Sequence, residues 1–186
     1  MKRAARGAGR GALILLFSAL PVFGQEVTPS NPTPSFRFGG ERLTYGASFA
    51  FGIGTVNWLS VTPEVGYLLT DRLWTGANAT LQFTNDTSYS PDFNSFGYGF
   101  GLFARFQIID RVFATAEWRW ESYESRTYNG GSVRYDQSSL YLGGGYAQPI
   151  GGRSALLVEL LYDVTGNATG IGGSPFLLQV GIAAGF

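Results

Sequence analysis

The side chains in this sequence that could perform chemistry are mostly carboxylates and guanidinium groups, because the chain contains no histidine and no cysteine. Catalytic triads that need His, disulfides, and metal sites built from Cys or His are therefore excluded. Glu117 and Glu121 are an acid pair of the kind that hydrolyses glycosidic bonds. Arg119 lies between them, and in an extended strand all three side chains share one face, which favours an ion-pair cluster. We expect no enzymatic activity, no cofactor and no bound metal.

Charged residues recur on the small-residue face of segments that alternate with a period of two, the period of a β-strand. If two of these segments form a hairpin, Arg105 faces Thr115 and Glu117 across the ladder. The sequence thus predicts an ion-pair network inside a barrel. Its predicted members are Glu64, Arg105, Glu117, Arg119, Glu121, Glu159 and Asp163.

Eight segments from Leu43 onward place bulky apolar residues on one face and Gly, Ser, Thr or charges on the other. In the clearest, Phe96, Tyr98 and Phe100 alternate with Gly97 and Gly99. A soluble sandwich or small barrel reverses this arrangement, with large residues inside and charges in water. The large face here must meet an apolar medium, which is the pattern of a membrane barrel. The predicted fold is all-β, an eight-stranded antiparallel up-and-down transmembrane β-barrel.

The N-terminal part of the chain predicts export. Four basic residues within residues 1–10 precede an apolar run at 12–20, and Val22 and Gly24 suit signal-peptidase cleavage. The run is about half the ~20 residues that a membrane-spanning helix needs. We predict a signal peptide at 1–24, a Pro-rich periplasmic tether at 25–40 and the barrel at 41–186. The predicted location is the outer membrane of a Gram-negative-type bacterium, with both termini periplasmic.

The lengths of the connections predict how the strands run. Short turns are expected at 70–72, 110–111 and 149–153, and longer polar loops at 85–95, 125–137 and 165–174. Short periplasmic turns that alternate with longer outer loops are typical of bacterial barrels. The connection at 54–57 is short as well.

Aromatic residues near the predicted strand ends indicate two girdles at the membrane interfaces. The face of Trp74 is ambiguous, since strict alternation turns it inward. The expected girdle residues are Tyr67, Phe96, Phe106, Trp118, Trp120, Tyr123, Tyr146 and Tyr162.

The last residues of the sequence carry a resemblance to a known family. Gln179, Gly181, Ala184 and a final Phe186 resemble the C-terminal assembly signal of outer-membrane barrels. With the Pro-Glu-Val-Gly-Tyr segment at 63–67, the region from 43 to 186 resembles the small eight-stranded barrels of the OmpA/OmpX type. It more closely resembles the Bacteroidetes-type "outer membrane beta-barrel domain" proteins. The resemblance implies fold and location, and recognition of the last strand by the barrel-assembly machinery, but no activity.

These features predict an outer-membrane protein with a side-chain-filled polar lumen and a structural or surface-interaction role. The alternative is a narrow pore for small solutes. The expected partners are outer-membrane lipid and lipopolysaccharide, and the expected state is a monomer. No nucleic acid is expected, because four of the 13 basic residues lie within the first ten and the remainder of the chain is net acidic. Adhesion through the outer loops, or calcium held by Asp86 with Asp92 or by Glu124 with Asp136, stays open.

Overall fold

The computed structural model describes residues 42–88, 92–127, 131–151, 153–167 and 174–185. The predicted signal peptide and tether, and Phe186 of the predicted assembly signal, lie outside these residues. Within the described ranges, no helix is long and apolar enough to cross a membrane.

Eight strands form one closed antiparallel sheet in which each strand pairs with its neighbours in sequence and β8 pairs with β1. The predicted all-β, eight-stranded, antiparallel up-and-down barrel is confirmed. The strands are β1 (Leu43–Gly52), β2 (Val56–Leu68), β3 (Leu73–Asp86), β4 (Phe93–Ile109), β5 (Val112–Arg126), β6 (Ser132–Gly151), β7 (Ser154–Asp163) and β8 (Phe176–Ala184).

Side chains alternate between the two faces of the sheet as the sequence predicted. On β4, Phe100 and Leu102 are 50% and 58% exposed on the outside, whereas Phe103 and Arg105 are buried in the lumen. The same alternation holds along β7, where Leu160 is exposed and Glu159 is buried. The lumen is therefore filled by the inward-facing set, as expected for eight strands.

The closure between β1 and β8 is the shortest ladder of the barrel, running from Tyr45 opposite Ala184 to Phe49 opposite Val180. Gly181 lies in this ladder opposite Ser48. A Cβ atom at Gly181 would lie 2.8 Å from the carbonyl oxygen of Ala47. The glycine of the predicted assembly signal therefore has a role in the fold, since it lets the two closing strands approach.

Three hairpin turns, those of β2–β3, β4–β5 and β6–β7, lie at one end of the barrel, which we call the turn end. The strand ends that β1–β2, β3–β4, β5–β6 and β7–β8 share lie at the opposite end, which we call the loop end. The first two predicted turns agree with the structure to within a residue. The third prediction, 149–153, is too long, because β6 continues through Pro149 with a register shift before Gly151.

The loop predicted at 125–137 is wrong, because most of it is strand. β5 and β6 pair without interruption as far as Arg126 opposite Ser132. Arg134 on β6 forms an ion pair with Glu124 on β5 at 2.9 Å and lies 5.1 Å from the ring centroid of Tyr98. These cross-strand contacts extend the hairpin beyond the apolar part of the sequence.

The two-residue turn between β4 and β5 places Arg111 at a backbone φ of +65°. This left-handed conformation is uncommon for residues with a Cβ, and Gly adopts it without that steric cost. A register shift between Gln107 and Ile109 accompanies the turn. Arg111 therefore occupies a position whose backbone favours glycine.

We predict that Arg111→Gly raises the free energy of unfolding by about 1 kcal/mol, because it removes the left-handed strain. Arg72→Gly is the matched control, because Arg72 lies in the turn between β2 and β3 without a positive φ. There the added chain entropy should lower stability by about 0.5–1 kcal/mol. Urea titration of the refolded barrel measures both changes, and equal losses in the two variants would contradict the strain at Arg111.

Candidate functional site in the lumen

The buried guanidinium of Arg105 joins three strands across the lumen. Its two terminal nitrogens lie 2.9 and 3.0 Å from the carboxylate oxygens of Glu64 on β2, and Nη2 lies 2.8 Å from Glu159 Oε1 on β7. Glu159 Oε2 also accepts hydrogen bonds from the hydroxyl of Thr115 at 3.2 Å and from Gln179 Nε2 at 3.5 Å. One cation therefore compensates two buried carboxylates, and the bidentate arrangement with Glu64 fixes its orientation.

Two aromatic rings enclose the same guanidinium. The Cζ atom of Arg105 is 4.5 Å from the ring centroid of Trp74 and 4.3 Å from that of Phe103. The rings meet edge to face at an interplanar angle of 87°. Cation–π contacts strengthen when water is excluded, as it is around these buried rings. Arg105 is thus held by charge and by aromatic faces together.

A second cluster centres on Glu117 and Arg119 of β5, nearer the loop end. Arg119 donates to Glu117 Oε1 from Nε at 3.0 Å and from Nη2 at 2.7 Å, and Asn78 Nδ2 donates to the same oxygen at 2.8 Å. Arg119 Nη1 lies 3.5 Å from Glu121, and its Cζ lies 5.3 Å from the ring of Tyr141. Glu121 is the more exposed of the two carboxylates, so this cluster connects the buried lumen to the loop end.

Apolar side chains close the lumen at the turn end. Glycines on neighbouring strands make room for the largest of them: a Cβ at Gly66 would overlap the indole of Trp74, and one at Gly145 would lie 2.6 Å from Phe113. Inward small residues and inward aromatics are therefore complementary in shape. The cluster comprises Leu68, Trp74, Phe103, Phe113, Ala147, Ala155, Leu157 and Ala183.

The structure brings six of the seven predicted network residues into these two clusters. Arg105 faces Thr115 in the ladder as expected, but its ion partners are Glu64 and Glu159, and Glu117 lies opposite Phe103. Asp163 is buried at the end of β7, where its Oδ1 accepts hydrogen bonds from the backbone and hydroxyl of Thr165.

Several lumen residues were not identified from the sequence. Trp74, whose face was ambiguous, points inward, and Phe103 and Phe113 form the apolar closure. Asn78 is also buried in the lumen, where it donates a hydrogen bond to Glu117. Alternation alone could have identified these residues, because each lies an even number of positions from a neighbouring lumen residue on its own strand.

The outer aromatics form contacting pairs toward the loop end. Phe83 packs against Phe96, Trp120 lies beside Tyr98 and Phe100, and Tyr162 packs against Phe176. Tyr67, Phe106 and Tyr146 are exposed on the outside toward the turn end, and Trp118 is exposed beside Phe100.

One expected girdle residue is corrected by the structure. Tyr123 lies on the inward face of β5, with the parity of Glu121, because its strand is regular there. Its hydroxyl donates to Gln137 at 3.2 Å, and Gln137 in turn donates to the buried Ser139. Tyr123 therefore belongs to the loop-end opening of the lumen.

The outside of the barrel carries an uncharged band on all eight strands. No Asp, Glu, Lys or Arg occupies an outward-facing position within this band. More than thirty large hydrophobic side chains are exposed in the described part of the chain. The band covers outward positions in 43–51, 59–67, 73–83, 96–108, 112–120, 140–148, 156–162 and 176–184.

The lumen charges are suited to holding strands together. Glu64, Glu117 and Glu159 each lie against an arginine, and no described group of three or more acidic residues is arranged to hold a metal ion. A pair of acids that performs proton transfer needs a space between them for the substrate. Here guanidinium groups and aromatic rings occupy the space beside the carboxylates.

These features define a closed eight-stranded barrel with a side-chain-filled lumen and an apolar exterior. No protein-family model matches the sequence, and no curated protein has a matching sequence. Similar solved structures include the N-terminal β-barrel domain of OprF from Pseudomonas aeruginosa, at 10% identity and a TM-score of 0.47, covering 80% of this chain and 100% of that one. Neisserial surface protein A is 15% identical with a TM-score of 0.46, covering 77% and 96%. A de novo designed transmembrane β-barrel is 12% identical with a TM-score of 0.41, covering 80% and 98%.

We predict that Glu117→Ala destabilises the barrel by about 3–5 kcal/mol, because Arg119 then loses its main buried counter-charge. Glu124→Ala is the matched control: Glu124 also pairs with an arginine at 2.9 Å, but on the exposed hairpin. Its loss should cost about 0–1 kcal/mol. Urea titration followed by heat-modifiable gel mobility measures the difference. Similar losses of unfolding free energy in the two variants would show that the buried Glu117–Arg119 pair does not stabilise the barrel.

Proposed function

We propose that this protein is an integral β-barrel of a bacterial outer membrane, with a structural or surface-interaction role and no catalytic activity. The single observation that carries the proposal is the uncharged band, which surrounds the barrel on every strand. Monomeric soluble proteins rarely expose an apolar surface of this extent. Lipid acyl chains supply the apolar medium that such a band requires.

The dimensions of the strands support the same proposal. A tilted strand needs about 9–11 residues to cross the hydrocarbon core. The shortest strand, β8, has 9 residues and the longest, β6, has 20. Closure also removes exposed sheet edges along the band, and this satisfies the rule that backbone groups in lipid must be paired. The predicted export signal at 1–24 is consistent with this location.

The filled lumen favours a structural or surface role over transport. Trp74, Phe103 and Phe113 fill the turn end together with the ion pairs of Arg105, and the second ion-pair cluster fills the lumen nearer the loop end. The β5–β6 hairpin extends the surface at the loop end, where Tyr135 and Val133 are 52% and 45% exposed beside the Arg134–Glu124 pair. Exposed aromatic and charged side chains on a strand-paired hairpin are suited to contacts with another molecule.

The proposed partners follow from this location. The outer band would contact lipid, and the last strand would be recognised by the barrel-assembly machinery through Gln179, Gly181, Ala184 and Phe186. Within β8, Gln179 faces the lumen, whereas Ala184 has the outward parity. Closure of the sheet within one chain is consistent with a monomer.

We expect Leu102→Arg to lower stability in phosphatidylcholine vesicles by about 2–4 kcal/mol, because an arginine then enters hydrocarbon near the middle of a strand. Tyr135→Arg is the control: Tyr135 is 52% exposed, similar to Leu102 at 58%, but lies on the loop-end hairpin. Its effect should stay within about 0.5 kcal/mol. Urea titration in vesicles measures both variants, and a Leu102→Arg variant as stable as the control would contradict a membrane-embedded band.

A narrow pore is the second candidate, and the charged, polar lumen above the apolar cluster favours it. Planar-bilayer recording distinguishes the two candidates. For a plugged barrel we expect no steady openings from the wild type, and openings only after Trp74→Ala and Phe103→Ala are combined, because these rings fill the turn end. Steady openings of the wild type would support the pore and contradict the closed lumen.

A further inference from the structure

Arginines stand at regular intervals around the turn end. Arg72 lies in the β2–β3 turn, Arg111 in the β4–β5 turn, Arg153 in the β6–β7 turn, and Arg42 directly precedes β1 beside the β8 closure. Each hairpin junction at this end therefore carries one arginine, and successive arginines are two strands apart around the closed barrel. We call these four residues the arginine rim.

Two members of the rim are tied to the outer surface by tyrosines. Arg42 Nη1 donates to the hydroxyl of Tyr67 at 3.3 Å, and Arg111 Nη1 donates to the hydroxyl of Tyr146 at 3.4 Å. Both tyrosine rings are 41% exposed on the outer face. Tyrosines with an apolar ring and a polar tip typically mark the membrane interface. The guanidinium groups therefore lie where the uncharged band ends, at the depth of lipid headgroups in the proposed membrane.

The two ends of the barrel have opposite net charge in the described residues. The turn end has the four rim arginines and two acids, Asp71 and Asp110. At the loop end two arginines accompany four exposed or half-buried acids. These loop-end residues are Arg126, Arg134, Asp86, Asp92, Glu124 and Asp136. A positive potential at the turn end attracts anions.

Arg111 supplies a separate observation. Its backbone has a φ of +65°, where glycine would be less strained. Its guanidinium group donates a hydrogen bond to the hydroxyl of Tyr146 and lies 3.7 Å from the carboxylate of Asp110. The side chains of Arg111 and Asp110 are 32% and 48% exposed, so this ion pair lies at the surface of the turn end. A guanidinium group is therefore present at the rim at a position whose backbone favours glycine.

We propose that the arginine rim binds the phosphate groups of anionic glycerophospholipids in the leaflet that surrounds the turn end. Guanidinium groups present several N–H donors in a geometry that matches phosphate oxygens. Arg42 and Arg111 each use one N–H donor on a tyrosine hydroxyl. A guanidinium group has five such donors, so further N–H groups can bind a headgroup phosphate. This inference rests on the proposed membrane location.

The test uses the refolded barrel in phosphatidylcholine vesicles, with trace spin-labelled phosphatidylglycerol or spin-labelled phosphatidylcholine read by electron paramagnetic resonance. We expect the protein-bound lipid fraction to correspond to about a threefold preference for phosphatidylglycerol at low salt, which high salt suppresses. The double variant Arg42→Gln with Arg111→Gln should bind the two lipids about equally. The double variant Arg126→Gln with Arg134→Gln removes the same charge at the loop end and should keep the preference.

The outcomes separate the inference from the membrane location itself. A wild-type barrel that inserts but binds both lipids equally, or a loop-end variant that loses the preference while the rim variant keeps it, overturns the rim as the binding surface. In the same measurement with spin-labelled lipid A, a rim-dependent preference larger than that for phosphatidylglycerol overturns the assignment to glycerophospholipid. Failure of the wild type to insert into vesicles contradicts the proposed function rather than the lipid chemistry of the rim.

Discussion

The closure of β8 onto β1 is the constraint on which the rest of this structure depends. Eight strands enclose a space only as wide as the side chains that fill it. Large residues that face inward then need glycine nearby, as Phe113 has in Gly145 opposite it on β6. Most remaining bulky residues have no space inside, so alternation places them on the outer surface. The narrow lumen and the apolar exterior are consequences of the same closed sheet.

The lumen divides into parts with different physical roles. At the turn end, apolar rings exclude water. A buried charge there interacts more strongly with a partner and costs more free energy if it has none. Arg105 meets this requirement by pairing with Glu64 and Glu159 while its guanidinium lies between two aromatic rings. Nearer the loop end, Arg119 bridges the buried Glu117 and the partly exposed Glu121. In both clusters, each buried arginine is therefore neutralised by glutamates that it contacts directly.

Much of the fold was predictable because a strand has a period of two and the outward face is uniform. Phe100 and Leu102 could be placed outside on this basis alone. Phe103 was missed because it follows Leu102 directly, and a bulky residue on each face hides the alternation. The extension of the β5–β6 hairpin was missed for another reason: Glu124 and Arg134 are polar, and only their pairing across the ladder makes that segment a strand.

The sequence by itself determined the number of strands, the face that most side chains occupy and the set of charges that enter the lumen, because these depend on local alternation. Only the tertiary structure decided which charges meet. Glu64 and Arg105 are 41 positions apart and lie on strands that are not neighbours in the sheet, so their contact exists only across the closed lumen. The same holds for the arginine rim, whose members are far apart in the chain and become evenly spaced only when the sheet closes.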